Sequence, residues 1–239
     1  MTVRPRVGVI IPAYNEALTV GEVVRVAKGA QLVDEVVVVD DGSHDGTAEV
    51  AAAQGARVVT AGHQGKGESL LAGARATEAE VLVLLDADLA GLRTDHVDRL
   101  ARTVVDDGAM MALGLFDRGP WLNWLFLRLL PRLTGERALP RELLLSLDPA
   151  DARGFRVEAA LNSFVAEQGG TVRAFILDGM SQRTKEQKET FALVGSARKV
   201  AMLTVATWEF LAYRLRRAGR RSPHRPRRWP TRRGRDRER

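Results

Sequence analysis

The sequence of 239 residues predicts an α/β fold in which helices flank a mostly parallel sheet. Short β-branched runs alternate with helical patterns through the first half of the chain, which is the rhythm of doubly wound sheets. Three of these runs, VGVII, VVVV and VLVLL, are apolar throughout, as expected of strands that helices cover on both faces. Polar residues follow these runs directly, and ligands of such sheets bind outside the carboxyl ends of the strands.

The predicted elements follow one another without an internal repeat. We expect strands over the segments Val7–Ile11, Glu35–Asp40, Ala56–Thr60, Val81–Leu85, Met110–Leu115 and Val172–Leu177. Helical periodicity predicts helices over Ala17–Lys28, Thr47–Gln54, Gly67–Ala76 and Asp95–Asp106. Amphipathic helical patterns dominate after residue 116. We therefore divide the chain into a folded domain over residues 1–190, an amphipathic helix over 191–217 and an arginine-rich, disorder-prone tail over 218–239.

Composition excludes several kinds of site. The chain has no cysteine, which rules out disulfides, thiolate metal ligands and a cysteine nucleophile. The most apolar later segments, Trp121–Leu133 and Phe191–Leu215, are interrupted by charged residues. We expect neither a signal peptide nor a membrane-spanning helix, which needs ~20 predominantly apolar residues. The sequence therefore predicts a cytoplasmic protein, or one bound peripherally at the inner face of the plasma membrane.

The net charge of +6 belongs to the end of the chain. Residues 214–239 contain thirteen arginines and two acidic residues, whereas residues 1–213 contain 23 basic and 28 acidic residues. This tail has a single aromatic residue, Trp229, so we expect general attraction to polyanions and no specific nucleic-acid recognition. An apolar stripe over residues 191–215 suits packing on the same domain, a homodimer partner or an anionic membrane surface.

Two aspartates, Asp86 and Asp88, follow the strand predicted at Val81–Leu85. Mg²⁺ usually takes one or two protein carboxylates and completes its coordination with phosphate oxygens and water. We interpret the pair as a site for Mg²⁺ or Mn²⁺ that neutralises a diphosphate group. The alternative is a turn whose aspartates cap a helix.

A second acidic pair, Asp40 and Asp41, ends the strand before a glycine-serine turn. Turn chemistry and an N-cap at Asp45 or Thr47 account for part of this segment. Two successive aspartates exceed what a cap requires, so one of them can accept hydrogen bonds from a nucleobase or ribose. Glu16, after the first strand, has the alternative of a simple first-turn helix charge.

A glycine-lysine segment, GHQGKG at 62–67, lies between a strand and a helix. A P-loop has four residues between its first glycine and the Gly-Lys pair, then Ser or Thr, and this segment has neither feature. A dinucleotide fingerprint follows the first strand, which here runs into Pro12. We expect a loop that places Lys66 near a helix N-terminus, where anions bind. The alternative is an exposed lysine in a glycine turn.

In combination these segments resemble the nucleotide-sugar glycosyltransferases of family 2. The resemblance rests on VIIPAYNE at 9–16, VDDGS at 39–43, GKG at 65–67 and LDADL at 85–89, in this order. It covers roughly residues 6–190 and lies near the dolichyl-phosphate mannose synthases and glucosyl-3-phosphoglycerate synthases. It implies a GT-A, Rossmann-like fold, here with a helical C-terminal extension.

The resemblance also implies roles for particular residues. It assigns nucleotide binding to Pro12, Ala13, Tyr14, Glu16, Asp41, Lys66, Asp86 and Ala87. It assigns the Mg²⁺ or Mn²⁺ ion to Asp86, Asp88 and Gln182. It assigns catalysis to Asp88, Glu158 and Arg137.

Two downstream stretches carry the last of these assignments. LTGERA at 133–138 is similar to the family's S-G-x-R-A stretch near the sugar and acceptor, which contains Arg137. GFRVE at 154–158 resembles its G-[FY]-x-x-E stretch, whose glutamate faces the donor sugar and is Glu158 here. The alternatives are a surface ion pair for Arg137 and a helix N-terminal charge for Glu158.

One position departs from the family pattern. Relatives often have a metal-binding histidine where this chain has Gln182, whose amide oxygen coordinates Mg²⁺ more weakly than a charged ligand. Nearby, Arg183 suits a diphosphate contact. Lys185 suits the start of a solvated helix better.

The activity that the resemblance implies is transfer of a glycosyl group from a UDP- or GDP-sugar to a lipid phosphate or a small anionic or hydroxyl acceptor. A hydroxyl acceptor needs a general base and a lipid phosphate does not, which decides the role of Glu158. Dolichyl-phosphate-type relatives invert the anomeric configuration and glucosylglycerate-type relatives retain it.

Two other functions stay open. A sugar nucleotidyltransferase expects a longer glycine-rich first loop, and a decayed membrane- or polyanion-binding scaffold is suggested by Gln182.

Overall fold

The computed structural model describes residues 4–117, 134–148 and 156–182. Its strands are β1 Val7–Ala13, β2 Glu35–Asp40, β3 Arg57–Thr60, β4 Val81–Leu84, β5 Leu89–Ala90, β6 Met111–Phe116, β7 Arg137–Pro140, β8 Val172–Leu177 and β9 Ser181–Gln182. Its helices are α1 Val20–Gly29, α2 Thr47–Ala53, α3 Lys66–Ala76, α4 Thr94–Val105, α5 Arg141–Leu145 and α6 Arg156–Glu167.

Seven strands form one mixed sheet in the order β3-β2-β1-β4-β7-β6-β8, and β5 pairs with β9 in a separate ribbon. The pairs β1–β2, β1–β4, β2–β3 and β6–β8 are parallel. Strand β7 runs antiparallel to both β4 and β6. The predicted fold class, a mostly parallel sheet flanked by helices, is confirmed. Because β7 is reversed, its amino end lies at the same sheet edge as the carboxyl ends of β1, β2 and β4.

Helices cover both faces of this sheet. Val9 and Ile11 of β1 pack in one apolar cluster with residues of α1 and α4. Ile10, between them, packs in a second cluster with residues of α3, α5 and α6. Since successive residues of a strand point to opposite faces, a strand buried on both sides must be apolar at every position. This is the physical reason for the continuous runs in the sequence.

The boundary between β1 and α1 differs from the prediction. Strand β1 continues to Ala13, because Pro12 and Ala13 still pair with the end of β2. Helix α1 begins at Val20, three residues after the predicted start at Ala17. The backbone N–H of Glu16 donates to the hydroxyl of Thr47 at the start of α2, and that of Ala17 donates to the carboxylate of Asp45. The residues between β1 and α1 therefore form a loop at the sheet edge.

The sequence prediction missed the short strands β5, β7 and β9. Strand β7 has four residues, begins with Arg137 and ends with Pro140, and shows no strand periodicity of its own. The β5–β9 ribbon has two residues on each side. It requires glycine at Gly91, where the φ angle is +71° and a side chain would collide with the carbonyl of Gly179.

Several predicted features lie outside the described residues: the apolar segment Trp121–Leu133, Arg183, Lys185, the helix over 191–217 and the tail over 218–239. Among the helices of the described ranges, none combines the length and the apolar character that crossing a membrane requires.

A buried histidine lies in the first turn of α4. His96 is 3% exposed, and neither ring nitrogen has a hydrogen-bond partner within the described part of the chain. Burial, reinforced by the nearby guanidinium of Arg93, lowers the pKa of His96 below its ordinary value. The folded protein therefore holds this imidazole in its neutral form.

We expect His96 to make the folded state sensitive to acid. Below pH 6.5, the ordinary pKa of histidine, His96 binds a proton in the unfolded chain but stays neutral in the folded one. The contribution of His96 to the free energy of unfolding should therefore decrease on acidification, by up to about 1.4 kcal/mol per pH unit. Urea unfolding at pH 7, 6 and 5 should show that His96→Leu loses less stability on acidification than the wild type does. The variant His44→Gln, at an exposed position, is the control, and equal slopes in all three proteins would contradict the assignment.

Candidate active site at the carboxyl ends of the strands

The register of β4 and β7 places two loop residues opposite each other. Leu84 pairs with Arg137 in this antiparallel ladder, so Asp86 and Gly135, each two residues further, also face one another. A Cβ atom on Gly135 would lie 2.7 Å from Oδ2 of Asp86 and 2.9 Å from Nζ of Lys66. The absence of a side chain at Gly135 therefore lets a carboxylate and an ammonium group approach the loop.

Lys66 connects two of the predicted site carboxylates. It is the first residue of α3, and its Nζ lies 2.7 Å from Asp86 Oδ1 and 3.1 Å from Glu158 Oε1. The side chains of Lys66, Asp86 and Glu158 are 22%, 19% and 14% exposed. They are mostly enclosed but still reachable from solvent. Three residues that the sequence predicts separately therefore form one lysine–carboxylate cluster.

The contacts within the cluster keep Lys66 and Glu158 charged. Burial acts to lower the pKa of Lys66, but the carboxylates of Asp86 and Glu158 outweigh it, and the pKa lies above its ordinary value. Burial acts to raise the pKa of Glu158, but the charges of Lys66 and Arg137 outweigh it, and the pKa is lowered. At neutral pH, Lys66 is a cation and Glu158 an anion.

Arg137 lies behind the cluster in the protein interior. It is 1% exposed, and its guanidinium donates to the carbonyl of Thr134 and lies 3.9 Å from the sulfur of Met111. Burial lowers the pKa of Arg137, against the opposing charges of Glu158 and other nearby carboxylates. The alternative of a surface ion pair is wrong because the side chain has almost no contact with solvent. The catalytic role of Arg137 stays a prediction.

Glu136 is a fully buried acid of the site that the sequence did not predict. Its Oε2 lies 2.6 Å from the hydroxyl of Thr134, which is also 2.6 Å from the carbonyl oxygen of Gly114. A carbonyl only accepts, so the hydroxyl gives its one hydrogen to Gly114 and Glu136 must donate. Burial and the charge of Asp86 raise the pKa of Glu136 to about 8. Glu136 is therefore a neutral acid beside the charged cluster. Its place just before a buried strand is the sequence feature that would have indicated this residue.

The residues predicted for the nucleobase lie at the end of β1. Tyr14 is 39% exposed, and its ring centroid lies 4.6 Å from that of His63 in the glycine-lysine loop, with the rings tilted by 48°. Pro12 is half-buried and Ala13 is buried. The structure thus places His63, which the sequence did not predict, beside the residues predicted to bind the nucleotide.

Glu16 and Asp45 have local partners. Oε2 of Glu16 accepts a hydrogen bond of 3.0 Å from the Thr19 hydroxyl. Asp45 Oδ1 accepts the backbone N–H of Thr47 at 3.1 Å, but the N-cap position of α2 is Gly46, so the predicted N-cap at Asp45 or Thr47 is wrong. The Thr47 hydroxyl oxygen in turn accepts the backbone N–H of Glu16 at 2.8 Å. These bonds tie the loop after β1 to the loop after β2.

Asp41 holds the glycine-lysine loop. Its Oδ1 accepts the backbone N–H of Gln64 and its Oδ2 that of Gly65, each at 2.8 Å. Asp41 is only 6% exposed. The predicted nucleotide contact of this residue stays a prediction, and the described contacts of its carboxylate are with the protein.

The predicted metal ligands converge at the turn after β4. Asp86 and the half-buried Asp88 flank the buried Ala87 in the link from β4 to β5. Leu89, next to Asp88, pairs with the backbone of Gln182, whose side chain lies outside the described residues. In residues 4–117, 134–148 and 156–182, no group of three or more His, Asp or Glu side chains could hold a metal ion. Two carboxylates fit Mg²⁺ or Mn²⁺ whose remaining positions are taken by phosphate oxygens and water.

The fold and the site together define a protein of the GT-A type, a mostly parallel sheet flanked by helices with a carboxylate turn after β4. The chain belongs to Glycosyl transferase family 2, because the model of that family matches residues 8–164. This agrees with the resemblance seen in the strand-end motifs.

The chain is similar to proteins named glucosyl-3-phosphoglycerate synthase. It is 36% identical over 123 residues to glucosyl-3-phosphoglycerate synthase of Mycolicibacterium smegmatis, a match covering 47% of this chain and 41% of the relative. It is 29% identical over 196 residues to the Mycobacterium tuberculosis synthase, covering 66% of this chain and 60% of the relative. The chain thus spans about half the length of these relatives.

A solved structure shows the same fold. The crystal structure of the M. tuberculosis synthase in complex with Mn²⁺, uridine diphosphate and glucosyl-3-phosphoglycerate has a TM-score of 0.69. The match has 28% sequence identity and covers 92% of this chain and 82% of the other.

We expect Glu136 to lower stability as the pH rises. Its pKa is 4.5 in its ordinary state and about 8 in the folded protein, so the unfolded chain loses the proton first. The contribution of Glu136 to the free energy of unfolding should fall as the pH rises, with a slope of up to about 1.4 kcal/mol per pH unit between these values. Glu136→Gln keeps a donor for Thr134 and should remove this slope in chemical denaturation from pH 5.5 to 8.5. The exposed Glu142→Gln is the control, and an unchanged slope in Glu136→Gln would refute the neutral acid.

Proposed function

We propose that this chain is a metal-dependent hexosyltransferase that moves a glycosyl group from a UDP-sugar to a small anionic acceptor. The observation that carries the proposal is the lysine–carboxylate cluster of Lys66, Asp86 and Glu158 at the strand ends. The family membership supports glycosyl transfer. The uridine diphosphate and glucosyl-3-phosphoglycerate bound to the M. tuberculosis synthase support this choice of donor and acceptor.

The donor nucleotide would lie along the sheet edge from β1 to α3. Tyr14 and His63 offer aromatic surface to the base, and Lys66 offers a cation to the diphosphate. The first backbone N–H groups of α3 add to this cation, because a helix N-terminus attracts anions. The exposed fraction of Lys66 leaves its ammonium group accessible for such a contact.

The carboxylates of Asp86 and Asp88, with Gln182 as the third ligand, would hold the Mg²⁺ or Mn²⁺ ion. The ion would supply positive charge to offset the departing diphosphate. This proposal uses the D-x-D spacing of the turn after β4, and we assign direct ligation to Asp88. The crystal structure of the M. tuberculosis synthase contains Mn²⁺ together with uridine diphosphate, which supports it.

Glu158 is suited to binding the sugar. Its pKa is lowered by Lys66 and Arg137, after the opposing effect of burial, so it is a weak base. A weakly basic carboxylate accepts hydrogen bonds from sugar hydroxyls better than it removes a proton. We therefore assign Glu158 to the donor sugar. We assign Arg137 to positioning Glu158, because its buried guanidinium raises the positive charge around that carboxylate.

The proposed reaction predicts a defined set of products. With Mn²⁺, UDP-glucose and 3-phosphoglycerate, we expect release of UDP and a glycosylated acceptor, both detected by mass spectrometry. Lys66→Met should lower kcat/KM by about a hundredfold, since it removes charge stabilisation at the diphosphate. Lys28→Met, at an exposed lysine that contacts the carbonyl of Gly55, is the control and should stay near the wild-type rate.

Other outcomes of this assay would contradict the proposal. Release of pyrophosphate would indicate a sugar nucleotidyltransferase. Transfer to an undecaprenyl or dolichyl phosphate, and not to 3-phosphoglycerate, would show that the acceptor is a lipid phosphate and not a small anion. If no UDP- or GDP-sugar is turned over and the Asp88→Ala variant keeps normal cellular function, the protein is a binding scaffold whose active site has decayed.

We also infer that the protein attaches from the cytoplasm to anionic membranes through residues 214–239. The support is the thirteen arginines of this segment, since each basic residue near an anionic surface contributes about 1 kcal/mol. We expect the full chain to cosediment with vesicles containing phosphatidylglycerol and to be released by about 0.5 M salt, which shortens the Debye length below the ~8 Å of physiological salt. Vesicles of phosphatidylcholine are the control. A chain that stays in the supernatant, or that only dimerises, would contradict the inference.

A further inference from the structure

The carboxylate of Asp41 is engaged with the backbone of a loop 23 and 24 residues away in sequence. Each oxygen accepts one N–H at 2.8 Å, from the consecutive residues Gln64 and Gly65. Hydrogen bonds to a charged acceptor are the stronger kind, and two on one buried carboxylate fix both its position and that of the loop. This arrangement joins the end of β2 to the start of α3.

Further contacts hold the same loop against β2. The backbone N–H of Ala61 donates to the carbonyl of Asp40 at 2.8 Å. Nδ1 of His63 lies 3.3 Å from the carbonyl oxygen of Asp41. Gly65 has a φ angle of +100°, which glycine adopts readily and other residues rarely do. These contacts fix the backbone of the loop over residues 61–65, and the carboxylate of Asp41 binds its last two residues.

The end of this loop determines where Lys66 points. Gly65 immediately precedes Lys66, and the carbonyl of Gly65 accepts the backbone N–H of Ser69 at 3.0 Å to begin α3. A rotation of the peptide at Gly65 would therefore turn the first residue of the helix. The ammonium group of Lys66 meets Asp86 at 2.7 Å in the present orientation.

We infer that Asp41 is a positioning residue that orients Lys66 for the diphosphate through residues 61–65. This inference rests on the proposed function for the role of Lys66, and it goes beyond it in assigning Asp41 to the loop and not to the base. A carboxylate that reads a base discriminates between bases. A carboxylate that orients Lys66 affects every diphosphate ligand equally, because Lys66 contacts the part that they share.

The test compares Asp41→Asn with the wild type in two measurements. The amide of asparagine presents N–H groups to one of the two backbone donors, so that hydrogen bond is lost. We expect amide exchange, detected by NMR without ligand, to rise about tenfold or more at Gln64 and Gly65 and to stay unchanged in β2. In calorimetry with Mn²⁺, we expect UDP, CDP and pyrophosphate to lose affinity by the same factor.

Matched variants keep the test decisive. Asp40→Asn changes the neighbouring, equally buried aspartate, whose Oδ1 accepts the N–H of Ser43, and should leave exchange at Gln64 and Gly65 unchanged. Gly65→Ala strains the loop while keeping the Asp41 carboxylate, and should reproduce the uniform loss of affinity. It also serves if Asp41→Asn does not fold.

Two results would overturn the inference. One is unchanged exchange at Gln64 and Gly65 in Asp41→Asn. The other is a loss of affinity confined to one base, with pyrophosphate unaffected. If the wild type binds none of the three ligands, the proposed function fails, while the exchange measurement still decides whether Asp41 holds the loop.

Discussion

The ionic contact of Lys66 with Asp86 and Glu158 unites three parts of the chain that are distant in sequence. Charges in an enclosed space are costly unless each has a partner, and replacing such groups with apolar ones often stabilises a protein. A gain in stability therefore explains this cluster poorly. Its partial exposure and its place at the strand ends fit a site that receives a charged ligand.

The reversed direction of β7 makes this cluster possible. A parallel strand between β4 and β6 would bring its carboxyl end, Pro140, to the site edge. The antiparallel strand brings its amino end, so Gly135, Glu136 and Arg137 arrive beside Asp86. One strand thereby supplies space for the carboxylate, a neutral acid and a buried cation.

The sequence predicted the parallel part of the sheet and selected Lys66, Asp86 and Glu158 as separate site residues, whereas their direct contact is a finding of the structure. It did not predict β7, since RALP becomes a strand only through pairing with β4 and β6. The burial of Arg137 and the neutral state of Glu136 depend on surroundings supplied by other elements. The partners of Asp41 are likewise set by tertiary structure, as Gln64 lies 23 residues away.

The loops of the site are joined into one hydrogen-bonded chain. The N–H of Asn15 donates to the Ser43 hydroxyl, and the N–H of His44 donates back to Asn15 Oδ1, each at 2.9 Å. Through Asp41 the same β2 end reaches the loop that precedes Lys66. The surface assigned to the base and the cation assigned to the diphosphate thus hold fixed positions relative to each other. Such preorganisation reduces the conformational entropy lost on binding, so a ligand that spans both ends gains affinity from contacts that already exist.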